Sequence, residues 1–138
     1  MVHGRESYWK ALTSAMIRRS QERAEEKGLD HSITLEYLRE DIYPETDKPM
    51  CPYCERPMKT IRGPFTRSSP TLDKVKPKLG YIEGNVIVAC NGCNHFKNDT
   101  ESSEEMRMKI KIAKTMLKKL LEVENNPTII LHERKKKA

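Results

Sequence analysis

The sequence predicts an α+β fold, a short hairpin running into a helix with helical segments on either side, and three observations predict it. All four cysteines of the 138-residue chain fall within residues 51–100, as the pairs Cys51-Pro-Tyr-Cys54 and Cys90-Asn-Gly-Cys93. Between the pairs, Thr71 to Val75 alternates like a strand and Val86 to Ala89 reads as a second, with Gly80, Gly84 and Asn85 punctuating the loop between them. Outside the pairs, residues 5–27 and 102–124 carry apolar side chains at helical spacing. The chain therefore reads as an N-terminal helical support (1–50), a central cysteine-bearing unit (51–100) and a C-terminal helix with a basic tail (101–138), together one compact domain.

In the first helix, Tyr8, Leu12, Ala15 and Met16 make the stripe that Trp9 and Ile17 widen, and Gly28 stops it. Arg18, Arg19 and Arg23 share the remaining face with Glu22, Glu25 and Glu26, and this face reads as solvated, with phosphate contact by Arg18 and Arg19 as the alternative. A short second helix follows, capped by Ser32 or Thr34, buried through Leu35, Leu38 and Ile42, and ended by Pro44. In the central unit each C-x-x-C pair closes a knuckle that offers two thiolates to one ion. Two pairs complete a tetrahedral zinc site with no open position, which pins the helix beginning at Asn94 to the first knuckle. Ser102 and Glu105 form a capping box for the last helix. Its broad stripe of Met106, Ile110, Ala113, Leu117, Leu120 and Leu121 is expected to be core, with a homodimer seam as the alternative. Asn125-Asn-Pro127 breaks that helix, Thr128 to Leu131 is expected to add a short strand, and Arg134 to Lys137 to form a disordered tail.

Composition narrows the function classes. Only 36% of residues are hydrophobic and 33% are charged, so the core is small and a bound metal helps to hold it. A net charge of +6 favours a polyanionic partner. The excess is steepest from Lys59 to Lys78, where Lys59, Arg62, Arg67, Lys74, Lys76 and Lys78 stand against one acid, Asp73, in a stretch broken by Gly63, Pro64 and Pro70. Such a loop beside a metal-held scaffold suits a phosphate backbone, because each neutralised phosphate releases counterions. A merely solubilising loop is the bland alternative. No apolar run is long enough to span a bilayer and no signal-peptide core follows Met1, so the expectation is no membrane partner and a reducing, cytoplasmic setting. There, C-x-x-C pairs serve as metal ligands rather than disulfides.

The order of residues in 51–100 resembles the HNH, or His-Me finger, endonucleases, most closely the small phage-type members with a four-cysteine zinc site, similar to recombination endonuclease VII. The match rests on the two cysteine pairs, Asp73, Gly84-Asn85 and Cys93-Asn94 in that order, with the Asn94-x-x-Lys97-x-Asp99 run after them. It covers about a third of the chain. The resemblance implies a zinc-stabilised ββα-metal, treble-clef-like unit flanked by the N-terminal and C-terminal helices. In it Cys51, Cys54, Cys90 and Cys93 hold a structural Zn²⁺, and Asp73 and Asn94, as hard oxygen donors, hold a catalytic Mg²⁺ or Mn²⁺. Asn85 braces the loop between the strands. The implied reaction is cleavage or nicking of DNA phosphodiester bonds, in the host cell cytoplasm if the chain is phage-encoded. Arg62, Arg67, Lys76 and Lys78 of the basic stretch, and Lys97 one turn beyond Asn94, would contact the DNA phosphates.

The sequence departs from the family at one catalytic position. Where the family carries a general-base histidine, this chain has Lys74. An ordinary lysine, with a pKa of about 10.4, is too basic to take a proton from water at neutral pH unless charge or burial lowers it. Three readings stay open. Lys74 acts as a base of depressed pKa; or it binds phosphate while water or another group takes the proton; or the chain is a catalytically silent, zinc-stabilised DNA- or protein-binding module derived from the fold. His95, next to Asn94, is a candidate replacement base, although successive helix residues point about 100° apart. A zinc-ribbon accessory would fit the cysteines but leaves Asp73, Asn85 and Asn94 without a role.

Overall fold

A computed structural model describes residues 3–137, and they fall into two compact units, Met1–Glu101 and Ser102–Ala138. The first opens with helix α1, His3–Lys27. Met16 is buried on it, with Trp9, Leu12 and Ile17 packed against the same core. Thr13 and Ser20 are buried as well, and their hydroxyls donate back to the carbonyls of Trp9 and Ile17, which lets polar side chains sit on the core face. Gly28, at φ 65°, ends the helix in the left-handed region.

Thr34 caps α2, Leu35–Tyr37, by accepting a hydrogen bond from the Tyr37 amide, and the chain continues through a π turn, Leu38–Ile42. Leu38 is wholly buried there, so this segment underlies the first cysteine knuckle as a packing support. Trp9 donates its indole N–H to the Tyr43 carbonyl at 2.9 Å, tying α1 to the end of that segment.

Strands β1, Pro70–Lys74, and β2, Val86–Cys90, pair antiparallel in the register Pro70↔Cys90, Leu72↔Val88 and Lys74↔Val86. Helix α3, Asn91–Lys97, follows β2 without a break, with Cys90 as its cap. The strand alternation puts Thr71 and Asp73 on one face of β1, while Leu72 joins the core from the other. The expected strand–loop–strand–helix order is therefore present, with β1 one residue earlier than the pattern suggested and α3 starting three residues earlier. Gly80 closes the loop at φ 78°, where a Cβ would lie 2.5 Å from the Asp30 carbonyl oxygen. Tyr81 there donates to Asp30 and accepts from Ser32, and its ring joins Ala24, Ile33 and Val86 in a second core cluster.

In the second unit Ser102 caps α4, Ser103–Glu124, by accepting from the Glu105 amide at 3.2 Å. The apolar stripe of α4 is not core as expected: none of its residues is buried, and Ile110, Leu117, Leu120 and Leu121 are exposed. The stretch expected as a strand and a disordered tail is instead one helix, α5, Pro127–Lys137. Pro127 stands at its first position and the Asn126 side chain accepts from the Thr128 amide at 2.9 Å, a start that outweighs the β preference of Thr-Ile-Ile when no strand edge lies alongside. No helix among the described residues is long and apolar enough to cross a membrane.

Candidate functional site

The first knuckle is closed by two backbone hydrogen bonds, Cys51 N–H to the Arg56 carbonyl and Glu55 N–H to the Cys51 carbonyl, each 2.9 Å. Glu55 takes φ 58° to make that turn. The second pair straddles the end of β2 and the first turn of α3. All four cysteines are free thiols, and their sulfurs lie within 4.8 Å of one another, with Cys54 and Cys90 at 3.8 Å. A tetrahedral site with Zn–S bonds of about 2.3 Å needs sulfurs about 3.8 Å apart. The cluster is thus of the size and donor type that holds a structural metal such as zinc. Backbone amides already point at the sulfurs, Cys90 N–H at Cys51 Sγ and Cys93 N–H at Cys90 Sγ, both at 3.4 Å. Burial raises the Cys51 pKa, yet the amides of Cys90, Cys54 and Tyr53 together outweigh it and bring the thiol down to about 7. Burial and the neighbouring thiols push Cys93 the other way.

Beside the cluster lies an open cleft of about 600 Å³. Its floor carries Thr71, Asp73 and Lys74 from β1, and Asn94 and His95 from α3 lie along it. Asp73 is buried, 4% exposed. The Tyr53 hydroxyl donates to its Oδ2 at 2.7 Å, and the Lys97 ammonium lies 3.4 Å from its Oδ1. Burial and then this bond to Asp73 hold the Tyr53 pKa far above its ordinary value. Asn94 is oriented by exclusion. The Thr71 hydroxyl spends its proton on the Ala89 carbonyl at 2.9 Å, so it can only accept from Asn94, whose Nδ2 stands 3.1 Å away. The Asn94 amide oxygen is thereby left for another partner.

Asn85 is buried and bonded through both ends of its amide. Nδ2 donates to the carbonyls of Lys76 and Gly80, at 3.0 and 2.8 Å, and Oδ1 accepts from the Lys76 amide at 2.9 Å. It ties together the loop that returns β1 to β2. The Lys74 ammonium sits 4.8 Å from the centre of the Tyr81 ring. Burial lowers its pKa most, Lys27 and Arg23 lower it further by repulsion, and Asp99 and Asp73 draw it part of the way back. His95 is exposed at the cleft.

The residues expected to contact nucleic acid are elsewhere. Arg62, Arg67, Lys76 and Lys78 are exposed, but none of them lines the cleft. Lys97 is only 7% exposed and turns inward, donating to the Lys74 carbonyl at 2.8 Å as well as pairing with Asp73. The cleft wall is instead supplied by α1, through Arg19, Arg23 and Lys27. Arg19 and Arg23 belong to the face expected to be solvated, with phosphate contact as the alternative at Arg19; the spacing of four residues that puts them in one row with Lys27 was the available sign. Tyr53, lying inside the first C-x-x-C pair, had no pattern to single it out. Scanned against family models, curated proteins and solved structures, the chain matches none of them.

Proposed function

We propose that this chain is a metal-dependent, HNH-like endonuclease that cleaves or nicks DNA phosphodiester bonds, its ββα-metal unit held by structural Zn²⁺ at Cys51, Cys54, Cys90 and Cys93. The observation that carries the reading is the orientation of Asn94, whose amide oxygen is left for a partner on the cleft that Asp73 also lines. Oxygen donors of this kind suit a hard divalent cation. Asp73 and Asn94 would hold Mg²⁺ or Mn²⁺, which supplies charge stabilisation at the scissile phosphate and the leaving 3′ oxygen. The protein's own part is positional. Tyr53 and Lys97 fix the Asp73 carboxylate, Thr71 fixes the Asn94 amide, and Asn85 keeps the loop after Lys74 in one shape. Lys74, with its pKa drawn down by burial and by Lys27 and Arg23, is the group that takes the proton from water or, remaining charged, binds the phosphate.

One observation favours a second reading. Both oxygens of Asp73 already have protein partners. A carboxylate so engaged also suits a catalytically silent DNA- or protein-binding module built on the same unit. Incubating supercoiled plasmid with the purified zinc-loaded protein and Mg²⁺ or Mn²⁺ separates the two. The enzyme reading expects nicking that Asp73→Ala and Asn94→Ala abolish while DNA binding survives. DNA binding without any cutting in either metal overturns it in favour of the silent module. Cutting by Lys74→Ala at the wild-type rate removes Lys74 as the base and leaves His95 as the next group to substitute.

A further inference from the structure

We propose that the cleft grips a single, unpaired DNA strand between two elements that hold no metal: the Arg19–Arg23–Lys27 row of α1, which tracks its phosphates, and Phe65, which stacks on its bases. The inference rests on the reading of the cleft as a nucleic-acid site and says which form of nucleic acid enters it.

The row comes from helix geometry. Residues four apart on an α-helix are neighbours on one face, about 6 Å apart along the axis, so three of them span about 12 Å. All three are exposed, all three line the cleft, and among the described residues none is drawn into an ion pair. Arg23 lies near the Tyr81 hydroxyl: burial raises the Tyr81 pKa, and the charge of Arg23 lowers it part of the way back. Together with Lys74 on the floor they place four cations around one concavity, opposed by Asp73, already paired, and by Asp99. Such a concentration of one sign in a concave site attracts a polyanion more strongly than the same charges spread over a surface.

Phe65 supplies the second half. It lines the same cleft and is 67% exposed, on a loop that is tied down rather than free to fold over it. Lys59 N–H donates to the Ser68 carbonyl at 3.0 Å, the Lys59 ammonium holds the Pro64 carbonyl, and Thr66 and Ser69 bond each other reciprocally. A large aromatic held out in this way beside a cationic row is the arrangement of single-strand binding grooves, where cations follow the backbone and rings stack on bases of any sequence. The volume, about 600 Å³, is on the scale of a small-ligand site. In duplex DNA the bases are already stacked, so Phe65 gains nothing without unstacking them.

The test measures binding, not cutting, by fluorescence anisotropy of a labelled oligothymidylate and of a duplex of equal length, across a potassium chloride series. Zinc content and circular dichroism confirm that each variant is folded. For the single strand, Arg19→Gln/Arg23→Gln/Lys27→Gln should reduce the slope of log K against log salt by about 2, since each phosphate contact contributes about 0.7. Phe65→Ala should leave that slope unchanged and weaken binding about 5- to 150-fold, with Phe65→Trp restoring it. The duplex should bind more weakly and be insensitive to Phe65→Ala. An unchanged slope in the triple variant, an unchanged affinity in Phe65→Ala, or duplex binding as tight as single-strand binding each overturns the inference. None of these outcomes bears on whether the protein nicks plasmid. An inactive protein that shows the two signatures keeps the inference and loses the nuclease, and an active one without them does the reverse.

Discussion

The two compact units treat the same kind of sequence pattern in opposite ways. In the Met1–Glu101 unit the stripe of α1 is sealed: Met16 is buried, and Trp9, Leu12 and Ile17 pack with it against Leu38, Val88 and Ala89. In the Ser102–Ala138 unit the stripe of α4 is at least as apolar by sequence, yet no residue of α4 or α5 is buried. What differs is not periodicity but what each stripe is given to pack against. The first has a hairpin, a π turn and two cysteine knuckles converging on it, whereas α4 and α5 are two helices that together enclose nothing. Periodicity tells which face of a helix is apolar; burial depends on the partners that other parts of the chain supply.

Removing the metal should break the comparison most severely. Cys51 and Cys90 are members of the core cluster, so the thiolate site and the hydrophobic core of the first unit are one object. Binding of a structural zinc is worth about 10–16 kcal/mol in small domains, as much as the whole stability of a typical one. Stripping zinc with a chelator, or Cys51→Ser, should abolish the cooperative melting of Trp9 fluorescence, the chain's sole tryptophan, while the helical signal of α4 and α5 persists. A Trp9 transition that survives chelation would mean that the hairpin and α1 hold together without the ion.

Asn85→Ala should come next, at about 3 kcal/mol. It leaves the Lys76 amide and the carbonyls of Lys76 and Gly80 without their partner, and each unsatisfied buried group costs about 1–3 kcal/mol, offset where water reaches the loop. The urea midpoint of Trp9 fluorescence checks it, and a shift of under about 1 kcal/mol would show that the loop stands without its brace.

How far the site was legible follows from how local each part is. Cys51, Cys54, Cys90 and Cys93 announce themselves because a knuckle needs its two thiols two residues apart, and that spacing is written in the chain. The hairpin and the cap at Ser102 are similarly short-range. The burial of Lys97 could not be read, because it depends on Asp73, which folding brings to α3 from β1. Arg19, Arg23 and Lys27 were visible as a row, but only the packing of α1 over β1 decides that the row faces a cleft. Tyr53 and Phe65 carry no pattern at all; a tyrosine between two cysteines and a phenylalanine in a loop acquire meaning only from position. Elements governed by neighbours in sequence were readable, α5 excepted, and contacts between distant segments were not.

Lowering the pH should distinguish the units by a smaller amount. His31 belongs to the first unit, its Nε2 2.7 Å from the Ser20 hydroxyl and its ring 5.6 Å from that of Tyr81. Burial lowers its pKa, and a hydrogen bond at its own backbone opposes that in part. A folded-state value below the unfolded one, about 6.5, means that the folded protein binds this proton less readily. The contribution of neutral His31 is therefore complete above pH 6.5 and is lost as the pH falls through the lowered folded value. Urea midpoints at pH 7.5 and 5 should differ more for the wild type than for His31→Gln, and equal differences would remove His31 as the cause.

The smallest effect is expected in α4, where Leu117→Gln should change the Trp9 midpoint by no more than about 0.5 kcal/mol. Leu117 is 55% exposed, so the substitution uncovers no cavity and strands no polar group. Glutamine is close to leucine in helix propensity, so the helix itself should lose little. The same change at Met16, on the sealed stripe, would place an amide in a packed core and cost several-fold more. The contrast also exposes a second copy if one covers the stripe. Self-association through α4 makes the thermal melting of its helical signal rise with protein concentration, because mass action stabilises whatever binds only the folded form. Leu117→Gln would then flatten that dependence. A concentration-independent wild type, indifferent to the substitution, means that the α4 stripe does not associate with itself.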